Sequence, residues 1–453
     1  MKKFFFITTI SVLTILFFSF WTIVSDGYDR QNKLILSIKK IIHPHFARKI
    51  RDTIFAIPNL KKQNRTLLLQ VRKYEQGYKG ALFNEQNNKS IEEKYSYNLK
   101  NFFLPFKRLD INLGWQADAT LKRAHYLEII EDKILVISGE GETLFFDKQN
   151  ITKDRLDQKP VKNNIDLILK EKNSELFAIR DLYYEDNFVY VSIVEKNNEQ
   201  FTINIYRAAK NFTKLNFDIF FESQEYSPKY TLQTGGRIEK FKDNKILFAI
   251  GFFGKHNFAQ DKKSLSGKII SIDKKNRDYE ILSVGHRNPQ GLYYSKKNNI
   301  IMNTEHGPKG GDEVNFNFLN NDKMKNFGWP ISSYGKPYPG TENIFEKEGW
   351  LKKSHSENNF NEPIKYFVPS IGISELIYTD DYKKDLSGRI FASSLRAGSI
   401  YILKIDKNMK KILHTDRIFF KNKRIRDLKY DKKSKLFFIL FENTPSVGVL
   451  KVN

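Results

Sequence analysis

The 453-residue sequence contains no cysteine. This excludes disulfide bonds, thiolate metal sites, iron–sulfur clusters, a cysteine nucleophile and a lipidated N-terminal cysteine. It does not identify the compartment, because a protein in an oxidising space need not use disulfides. Acidic residues are also few, since 52 Asp+Glu against 76 Lys+Arg leave a formal net charge of +24. Aromatic residues, in contrast, make up 14% of the chain, which predicts a large packed core and excludes a mostly disordered chain.

One long uncharged run is present, over residues 4–24, and Lys2 and Lys3 precede it. A helix of this length can cross the ~30 Å hydrocarbon core of a bilayer, which takes ~20 residues. A cleaved signal peptide usually has a shorter apolar region and small residues at its cleavage site, and residues 21–25 lack an Ala-x-Ala pattern. The sequence therefore predicts a membrane anchor within residues 1–28 that places the rest of the chain outside the cytoplasm, on the periplasmic face. A cleaved signal peptide and a buried core helix are the alternatives.

Residues 29–110 form a basic segment. Residues 1–110 hold 20 Lys+Arg and 8 Asp+Glu, so half of the net charge lies in this N-terminal part of the chain. Apolar residues recur at helical spacing between Leu34 and Phe55, with an interruption at Pro44. This pattern predicts a basic helical segment that lies on anionic lipid headgroups, and a solvated helix packed on the main domain is the alternative. Nucleic-acid binding is not predicted, because the segment contains no recognised motif and follows a membrane span.

Residues 111–453 repeat a pattern of short apolar runs and polar turns. Six runs of apolar or β-branched residues follow turns rich in Asp, Asn and Lys, and they begin at residues 134, 188, 246, 300, 390 and 436. Repeats of roughly 40–50 residues with several short strands each are typical of propeller blades. The sequence therefore predicts an all-β fold, a six-bladed β-propeller, whereas a β-sandwich would not need six similar units. The longest interval indicates an insertion near residues 320–368, and strands from both ends of the domain should hide the sheet edges.

The densest group of special residues lies between residues 285 and 330. It consists of GHRNPQG at 285–291, EHGPKGGDE at 305–313 and NFGWP at 326–330. Each stretch adjoins an apolar run, so we expect these residues on loops at one mouth of the propeller. The Gly307-Pro308 turn can direct backbone carbonyls at a hard cation, with Asp312 and Glu313 nearby as oxygen donors. The planar guanidinium of Arg287 suits a carboxylate or a quinone oxygen.

These stretches resemble the pyrroloquinoline-quinone (PQQ) dependent soluble glucose dehydrogenase and sorbosone dehydrogenase family, and EHGP-x-GGDE is most similar to its aldose sugar dehydrogenase branch. The resemblance is weak at the start of the predicted propeller and strong from residue 230 onward. Members of this family are six-bladed propellers, usually exported, that bind PQQ and Ca²⁺ over the mouth and oxidise aldoses. The resemblance thus implies a PQQ- and calcium-dependent oxidoreductase acting on an aldose or another hydroxyl-bearing substrate.

The resemblance also implies roles for individual residues. It implies that Arg287 and Asn288 contact PQQ or shape its site, and that Arg424 and Arg426 bind the cofactor. It also implies a quinone contact for Arg396, which stands where Lys is frequent in the family. It assigns the calcium-binding carbonyls to Gly307 and Pro308. Residues 424–427 match the family's Arg-x-Arg-Asp, whose two arginines hold PQQ carboxylates, and two cations suit a multiply charged anion.

The catalytic base of the family is absent from its expected position. The family places His two residues before a Gly-Gly or Ser-Gly pair, whereas Gln233 takes that position here. An amide accepts no proton at neutral pH, so base catalysis worth ~10²–10⁴-fold would be missing and no catalytic residue is identified. Phe252 stands where an acidic residue is normal, and the nearby His256 is either a substitute base or a structural residue. Two hypotheses result: a dehydrogenase with an altered base, or a non-catalytic propeller that binds a ligand, glycan or protein partner.

Overall fold

The computed structural model of the protein describes most of the predicted propeller. The described residues are 93–99, 102–111, 124–152, 156–228, 233–320, 323–379, 386–420, 423–442 and 445–451. The predicted membrane anchor, residues 1–28, and most of the predicted basic segment, residues 29–110, lie outside them. Within the described residues, no helix is both long and apolar enough to cross a membrane.

The described part of the chain consists mainly of short strands. The strands of its first half are β1 (Glu93–Leu99), β2 (Phe102–Asp110), β3 (His125–Ile130), β4 (Lys133–Ser138), β5 (Thr143–Asp147), β6 (Lys159–Asn163), β7 (Glu175–Glu185), β8 (Phe188–Asn197), β9 (Gln200–Ala209), β10 (Lys214–Leu215), β11 (Phe217–Glu222), β12 (Gly235–Lys240), β13 (Lys245–Ile250), β14 (Lys268–Asp273) and β15 (Tyr279–Val284). The remaining strands are β16 (Pro289–Ser295), β17 (Ile300–Glu305), β18 (Asp312–Phe318), β19 (Lys325–Asn326), β20 (Lys365–Phe367), β21 (Ile373–Thr379), β22 (Arg389–Ser394), β23 (Ser399–Ile405), β24 (Ile412–Phe419), β25 (Ile425–Asp431), β26 (Leu436–Phe441) and β27 (Ser446–Lys451). The helices among the described residues are α1 (Ile165–Glu171), α2 (Glu342–Lys347) and short 3₁₀ helices at Lys148–Thr152, His256–Ala259 and Ser356–Asn358.

These strands form six sheets of four or five strands, which confirms the predicted six-bladed propeller. The blades are β3–β6 with β10, β7–β9 with β11, β12–β15 with β19, β16–β18 with β20, β21–β24, and β25–β27 with β2 and β1; we number them 1 to 6. Pairing is antiparallel except for the short strands β10 and β19. The innermost strands β3, β7, β12, β16, β21 and β25 contact one another in a closed ring.

The six repeated runs of the sequence are the second strands of the blades, namely β4, β8, β13, β17, β22 and β26. Each is buried along nearly its whole length, because a blade packs against a neighbour on either side. Burial of both faces explains why these strands are continuous apolar runs instead of alternating ones. A residue with positive φ stands one or two positions before each of them, at Glu131, Asn187, Asn244, Asn299, Gly388 and Lys435. Asn and Gly tolerate this left-handed backbone best, which accounts for the composition of the turns.

Strands from both ends of the domain close the ring, as predicted. β2 pairs with β27, so that Phe106 lies opposite Leu450 and Asp110 opposite Ser446. β1 adds a further strand to the same sheet. Both strands belong to residues 29–110, for which the sequence predicts a helical segment. The propeller sheet therefore begins before residue 111, and the pairing that creates β2 involves a partner at the other end of the chain.

Hydrophobic clusters fill the spaces between neighbouring blades. Full burial of a large apolar side chain contributes about 1.5–3 kcal/mol, so these clusters dominate the stability of the ring. The predicted insertion lies between β18 and β20. Its Trp329, Phe345 and Trp350 pack against Phe252 of the loop between β13 and β14. This contact attaches the insertion to blade 3, beside the mouth.

Candidate active site

The predicted site residues lie on loops at one face of the propeller. Arg287, Asn288, Arg424 and Arg426 stand directly before, or at the start of, an innermost strand. Gly307, Pro308 and Arg396 stand between the second and third strands of their blades. Because neighbouring strands of a blade are antiparallel, these two positions fall at the same end of the sheet.

Glu305, at the end of β17, holds the loop before β16. Its Oε1 accepts hydrogen bonds from the backbone N–H groups of Arg287 and Asn288, the second at 3.1 Å. Its Oε2 accepts from His286 Nδ1 at 3.0 Å, and Ser283 Oγ lies 2.8 Å from the other ring nitrogen. Sequence reasoning missed Glu305 as an organising residue, although an acidic residue that ends an apolar strand before a glycine turn is a usable signal.

Asn288 connects blades 3 and 4, and its partner Gln290 extends the contacts to blade 6. Its Oδ1 accepts hydrogen bonds from the Gly235 N–H at 3.2 Å and from Gln290 Nε2 at 3.1 Å. Its backbone carbonyl accepts from the His306 N–H at 3.1 Å. Arg426 donates from Nη1 to Gln290 Oε1 at 2.9 Å. The structure therefore brings Asn288 and Arg426 together with the turn that follows β17.

The Arg287 guanidinium is buried at the mouth, and only 6% of the residue is exposed. Nη1 donates to the His306 carbonyl at 2.9 Å. The guanidinium carbon lies 5.1 Å from the Trp329 ring centroid and 5.7 Å from that of Phe252. Nε is buried and has no hydrogen-bond partner. Burial lowers the pKa of Arg287, an effect that the neighbouring Tyr338 partly offsets. A buried cation with an unpaired donor suits an oxygen acceptor on a ligand.

Arg424 and Arg426 share one buried carboxylate, that of Glu442. Arg424 donates to Glu442 Oε1 from Nε at 3.1 Å and from Nη2 at 3.0 Å. Arg426 donates to Glu442 Oε2 from Nε at 2.7 Å. The Arg424 side chain is 31% exposed and Arg426 is buried. Two cations against one anion leave a net positive charge at this part of the mouth, which suits an anionic ligand.

Arg396 is exposed on the loop between β22 and β23. Its backbone N–H donates to the Ile371 carbonyl at 3.0 Å, which fixes the loop against the chain that enters blade 5. The described contacts do not join its side chain to Arg287, Asn288 or the arginines of blade 6.

Gln233 stands at the end of the chain segment that enters β12. It is half-buried, and its backbone carbonyl accepts a hydrogen bond from the Phe253 N–H at 3.0 Å. Phe252 is buried, and its N–H donates to the Arg287 carbonyl at 3.0 Å. The two departures from the family pattern, Gln233 and Phe252, are therefore neighbours at the mouth beside Arg287.

His256 lies in a cage of four aromatic side chains, which argues against its acting as the missing catalytic base. Its ring centroid is 4.9 Å from that of Phe252, 5.6 Å from Trp329, 5.2 Å from Phe345 and 5.1 Å from Trp350. Burial and the nearby guanidinium of Arg287 lower its pKa to about 4. The imidazole is neutral at pH 7, and its enclosure by four rings favours the structural role.

The acidic residues near Gly307 and Pro308 are engaged in holding loops. Asp312 Oδ2 accepts hydrogen bonds from three successive N–H groups of residues 371–373, at 3.0, 2.7 and 3.1 Å. Glu313 Oε1 lies 3.0 Å from His355 Nε2 in the insertion. No group of three or more His, Asp or Glu side chains in the described ranges could hold a metal ion. A cation at this turn would therefore depend on the backbone carbonyls, and calcium stays a prediction.

A second charged cluster, unpredicted from the sequence, lies among the innermost strands. Arg237 Nη1 lies 2.8 Å from Asp181 Oδ1, 2.9 Å from Glu375 Oε2 and 3.2 Å from Asp427 Oδ1. All four side chains are buried, and they come from the innermost strands of blades 2, 3, 5 and 6. Burial raises the pKa of Glu375 to about 8. We call this group the axial cluster; it joins four blades below the mouth.

Comparison with known proteins identifies the family. The profile of the family "Glucose / Sorbosone dehydrogenase" matches residues 125–447. The chain belongs to this family. It is 28% identical over 234 residues to Aldose sugar dehydrogenase YliI of Escherichia coli, an alignment that covers 48% of this chain and 59% of that protein. It is also 28% identical over 291 residues to an uncharacterized protein of Synechocystis, covering 59% of this chain and 67% of that protein.

Solved structures of two aldose sugar dehydrogenases have the same fold. The soluble aldose sugar dehydrogenase of Escherichia coli, in its apo form, has a TM-score of 0.58 and 20% identity, covering 74% of this chain and 97% of that chain. The PQQ-bound aldose sugar dehydrogenase of Streptomyces coelicolor has a TM-score of 0.54 and 17% identity, covering 77% of this chain and 98% of that chain. At these identities the similarity establishes the propeller fold alone.

Proposed function

We propose that this family member is a PQQ-dependent oxidoreductase that oxidises an aldose or another hydroxyl-bearing substrate at the propeller mouth. One observation carries the proposal: the Arg287 guanidinium is buried there, beside the turn after β17, and keeps an unpaired Nε. The aldose sugar dehydrogenase among its relatives supports the substrate class. The PQQ-bound structure of the aldose sugar dehydrogenase of Streptomyces coelicolor, which has the same fold, supports the cofactor.

The residues at the mouth fit an anionic cofactor. Arg287 and Asn288 of blade 4, with Arg424 and Arg426 of blade 6, would hold PQQ through hydrogen bonds to its oxygens, and the exposed Arg396 would add a positive charge. Charge-assisted hydrogen bonds from guanidinium to carboxylate are among the strongest that side chains make. When bound, PQQ supplies a quinone that accepts two electrons from the substrate.

Calcium belongs to the proposal through the backbone. The carbonyls of Gly307 and Pro308 would be its protein ligands, and oxygen is the donor that Ca²⁺ prefers. The turn is closely packed, because a Cβ at Gly307 would collide with the carbonyl oxygens of Gly310 and Gly311. Only glycine fits at position 307 without a shift of the backbone, which is consistent with a carbonyl role.

The Gln233 side chain limits the chemistry that this chain supplies. Its amide can orient a substrate hydroxyl through a hydrogen bond, but it cannot remove the proton. We therefore expect turnover below that of a family member with His at this position by about 10²–10⁴-fold. The same observation favours a second candidate function, a non-catalytic propeller that binds a ligand, glycan or protein partner at the same mouth.

Addition of Ca²⁺ and PQQ to the full-length protein separates the two functions. The absorbance of PQQ reports binding, and reduction of a dye with a panel of aldoses reports turnover. We expect Arg287→Gln to abolish PQQ binding, whereas Arg277→Gln, in a hairpin on the opposite face, should leave it unchanged. PQQ binding without turnover would support the non-catalytic function, and no binding by the wild type would refute the cofactor assignments.

A gain-of-function variant tests the identity of the missing base. We expect Gln233→His to raise the rate of dye reduction by up to ~10²–10⁴-fold, because an imidazole can take the hydroxyl proton. Gln233→Asn is the matched control, since it keeps an amide. If both variants stay at the wild-type rate while PQQ binds, loss of the base is not what limits turnover.

We further propose that residues 1–28 anchor the propeller on the periplasmic face of the membrane. The support is the uncharged run over residues 4–24 together with the basic residues that follow it, which suit anionic headgroups. If the propeller lies on the periplasmic face, protease added to cells with a permeabilised outer membrane should degrade it. Release of the full-length protein by carbonate instead of detergent would contradict an anchor.

A further inference from the structure

Two buried glutamates lie directly opposite each other beside the mouth. Glu305 ends β17 and Glu313 belongs to β18, and the two residues form one cross-strand pair of blade 4. Like charges at opposite positions of neighbouring strands are destabilising, and burial away from water adds to the cost. The sheet is therefore stable here only with donors that compensate the two residues, which we call the glutamate pair.

Each member of the glutamate pair has its own histidine, and the two histidines come from different parts of the chain. His286 precedes β16, and its Nδ1 lies 3.0 Å from Glu305 Oε2. His355 belongs to the insertion, and its Nε2 lies 3.0 Å from Glu313 Oε1. The insertion thus supplies half of the compensation for a charged pair in the wall of the propeller.

Hydrogen bonds fix the orientation of both imidazole rings. Ser283 Oγ lies 2.8 Å from Nε2 of His286, and Ser332 Oγ lies 2.7 Å from Nδ1 of His355. An ionised carboxylate only accepts hydrogen bonds, so the ring nitrogen that faces a glutamate carries a hydrogen. His286 therefore donates from Nδ1 and His355 donates from Nε2. The two rings present opposite nitrogens to the glutamate pair.

One amide connects the two glutamates. Asn315 Nδ2 lies 3.2 Å from Glu313 Oε2 and 3.5 Å from Glu305 Oε2. Its Oδ1 is buried and has no hydrogen-bond partner among the described residues. The amide thus directs its N–H groups toward both carboxylates although its own acceptor stays unpaired, as expected where negative charge dominates the surroundings.

Glu305 also holds the loop before β16. Its other oxygen, Oε1, accepts hydrogen bonds from the backbone N–H groups of Arg287 and Asn288. The insertion touches the same loop directly, because the Trp329 N–H donates to the Gly285 carbonyl at 3.0 Å. Two routes therefore lead from the insertion to the residues that would hold PQQ.

We propose that His355 of the insertion is a positioning residue for the loop of Arg287 and Asn288. It compensates one member of the glutamate pair, so that the other member keeps its hydrogen bonds to both backbone N–H groups. Without it, the uncompensated carboxylate would take up a proton or move away from its like-charged neighbour, and either change would shift the shared amide of Asn315. This role rests on the proposed function, which places PQQ at the same loop.

Amide side chains can replace one ring nitrogen each, which allows a crossed test in the full-length protein. Glutamine brings an N–H donor near the position of Nε2, and asparagine brings one near the position of Nδ1. We expect His355→Gln to preserve the loop and His355→Asn to disturb it. At position 286 the order should be reversed, so that His286→Asn preserves the loop and His286→Gln disturbs it. His414→Asn is the matched control, because His414 is exposed on blade 5.

Hydrogen exchange of residues 285–291, followed by mass spectrometry, reports on the loop without PQQ. We expect exchange about tenfold faster in His355→Asn and His286→Gln, the ratio that corresponds to one buried hydrogen bond. The other two histidine variants and the control should match the wild type. Ser332→Ala removes only the hydroxyl that orients the His355 ring and should change exchange in the same direction, so it serves if a histidine variant fails to fold. Equal exchange in His355→Gln and His355→Asn, or faster exchange confined to the insertion, would overturn the inference.

Titration with PQQ, followed by its absorbance, connects the loop to the cofactor. We expect PQQ to bind about tenfold more weakly to His355→Asn and with unchanged affinity to His355→Gln. Wild-type affinity in a His355→Asn protein whose loop exchanges faster would refute the positioning role and leave the oxidoreductase in place. If the wild type binds no PQQ, the cofactor is refuted, and hydrogen exchange alone decides whether His355 positions the loop.

Discussion

Replacement of Arg237 by methionine tests whether the axial cluster fastens the propeller. Arg237 faces Asp181, Glu375 and Asp427 at 2.8–3.2 Å, and its Nε donates to the Gln290 carbonyl at 2.6 Å. Methionine fills much of the same space but removes the cation that contacts three buried carboxylates, and Lys429 is then the remaining positive charge near them. Removal of one partner of a buried ion pair costs about 3–5 kcal/mol. We therefore expect Arg237→Met to lower the free energy of unfolding by about 4 kcal/mol.

The loss of stability in Arg237→Met should depend on pH, and its direction follows from the protonation of the buried carboxyl groups. Burial raises the pKa of Glu375 to about 8 even with Arg237 present, and it raises the pKa of Asp181. Without the cation these carboxyl groups hold their protons more strongly, so they become neutral at low pH and burying them costs less. We expect the loss of stability to be smaller at pH 5 than at pH 8.

Urea unfolding followed by circular dichroism at the two pH values measures both quantities. Arg237→Lys keeps a charge and should lose less than the methionine variant, which separates electrostatics from packing. Lys245→Met removes an exposed ion pair, in which Lys245 Nζ lies 3.9 Å from Glu280 Oε2. This variant should change the free energy of unfolding by less than about 1 kcal/mol. An Arg237→Met protein within 1 kcal/mol of wild type, or one that loses more at pH 5 than at pH 8, would refute the reasoning.

Three further variants test single groups. Burial raises the pKa of Glu239 to about 8, so the contribution of this group to stability is present below its pKa in the unfolded chain and is lost as pH rises toward 8. Glu239→Gln should therefore stabilise the protein at pH 8 and change its stability little at pH 4. Equal effects at the two pH values in thermal unfolding would contradict this. Lys268 is fully buried, and its ammonium donates to three carbonyls at 2.7–3.1 Å. Lys268→Met should cost about 2–4 kcal/mol and speed hydrogen exchange over residues 251–267, whereas Lys263→Met, exposed in that loop, serves as the neutral control. Glu442→Gln leaves a buried arginine without its carboxylate and should cost about 3 kcal/mol in urea unfolding; a loss below 1 kcal/mol would show that solvent or another group replaces the carboxylate.

Much of the fold could be predicted because its signals are local. The second strands of the blades, such as β13 and β17, are continuous apolar runs since both of their faces are covered, and the turns before them contain residues that tolerate positive φ. Hydrophobic pattern and turn composition act over a few residues, so the printed sequence contains them. The same holds for the loops at the mouth, whose glycines and polar residues adjoin those strands.

The partners of the charged residues could not be predicted, because each contact joins residues far apart in the chain. Leu127 N–H donates to Asp427 Oδ2 at 2.9 Å across 300 positions, and Arg237 meets acids from three other blades. The sequence alone suggested Asp312 and Glu313 as cation ligands, whereas packing assigns the first to the loop at residues 371–373 and the second to His355. A carboxylate in a motif shows that an oxygen ligand is available, and only the tertiary structure decides which hydrogen-bond donor or cation contacts it.

The absence of cysteine and the excess of basic residues limited the chemistry from the start, and the six apolar runs with their turns determined the propeller. Those properties depend on composition and on neighbours along the chain. Tertiary structure decided the rest: the pairing of β2 with β27, the axial cluster, the aromatic cage of His256 and the unpaired donor of Arg287. The physical reason is that burial and hydrogen bonding depend on which segments meet in space, and ring closure brings together residues from both ends of the chain.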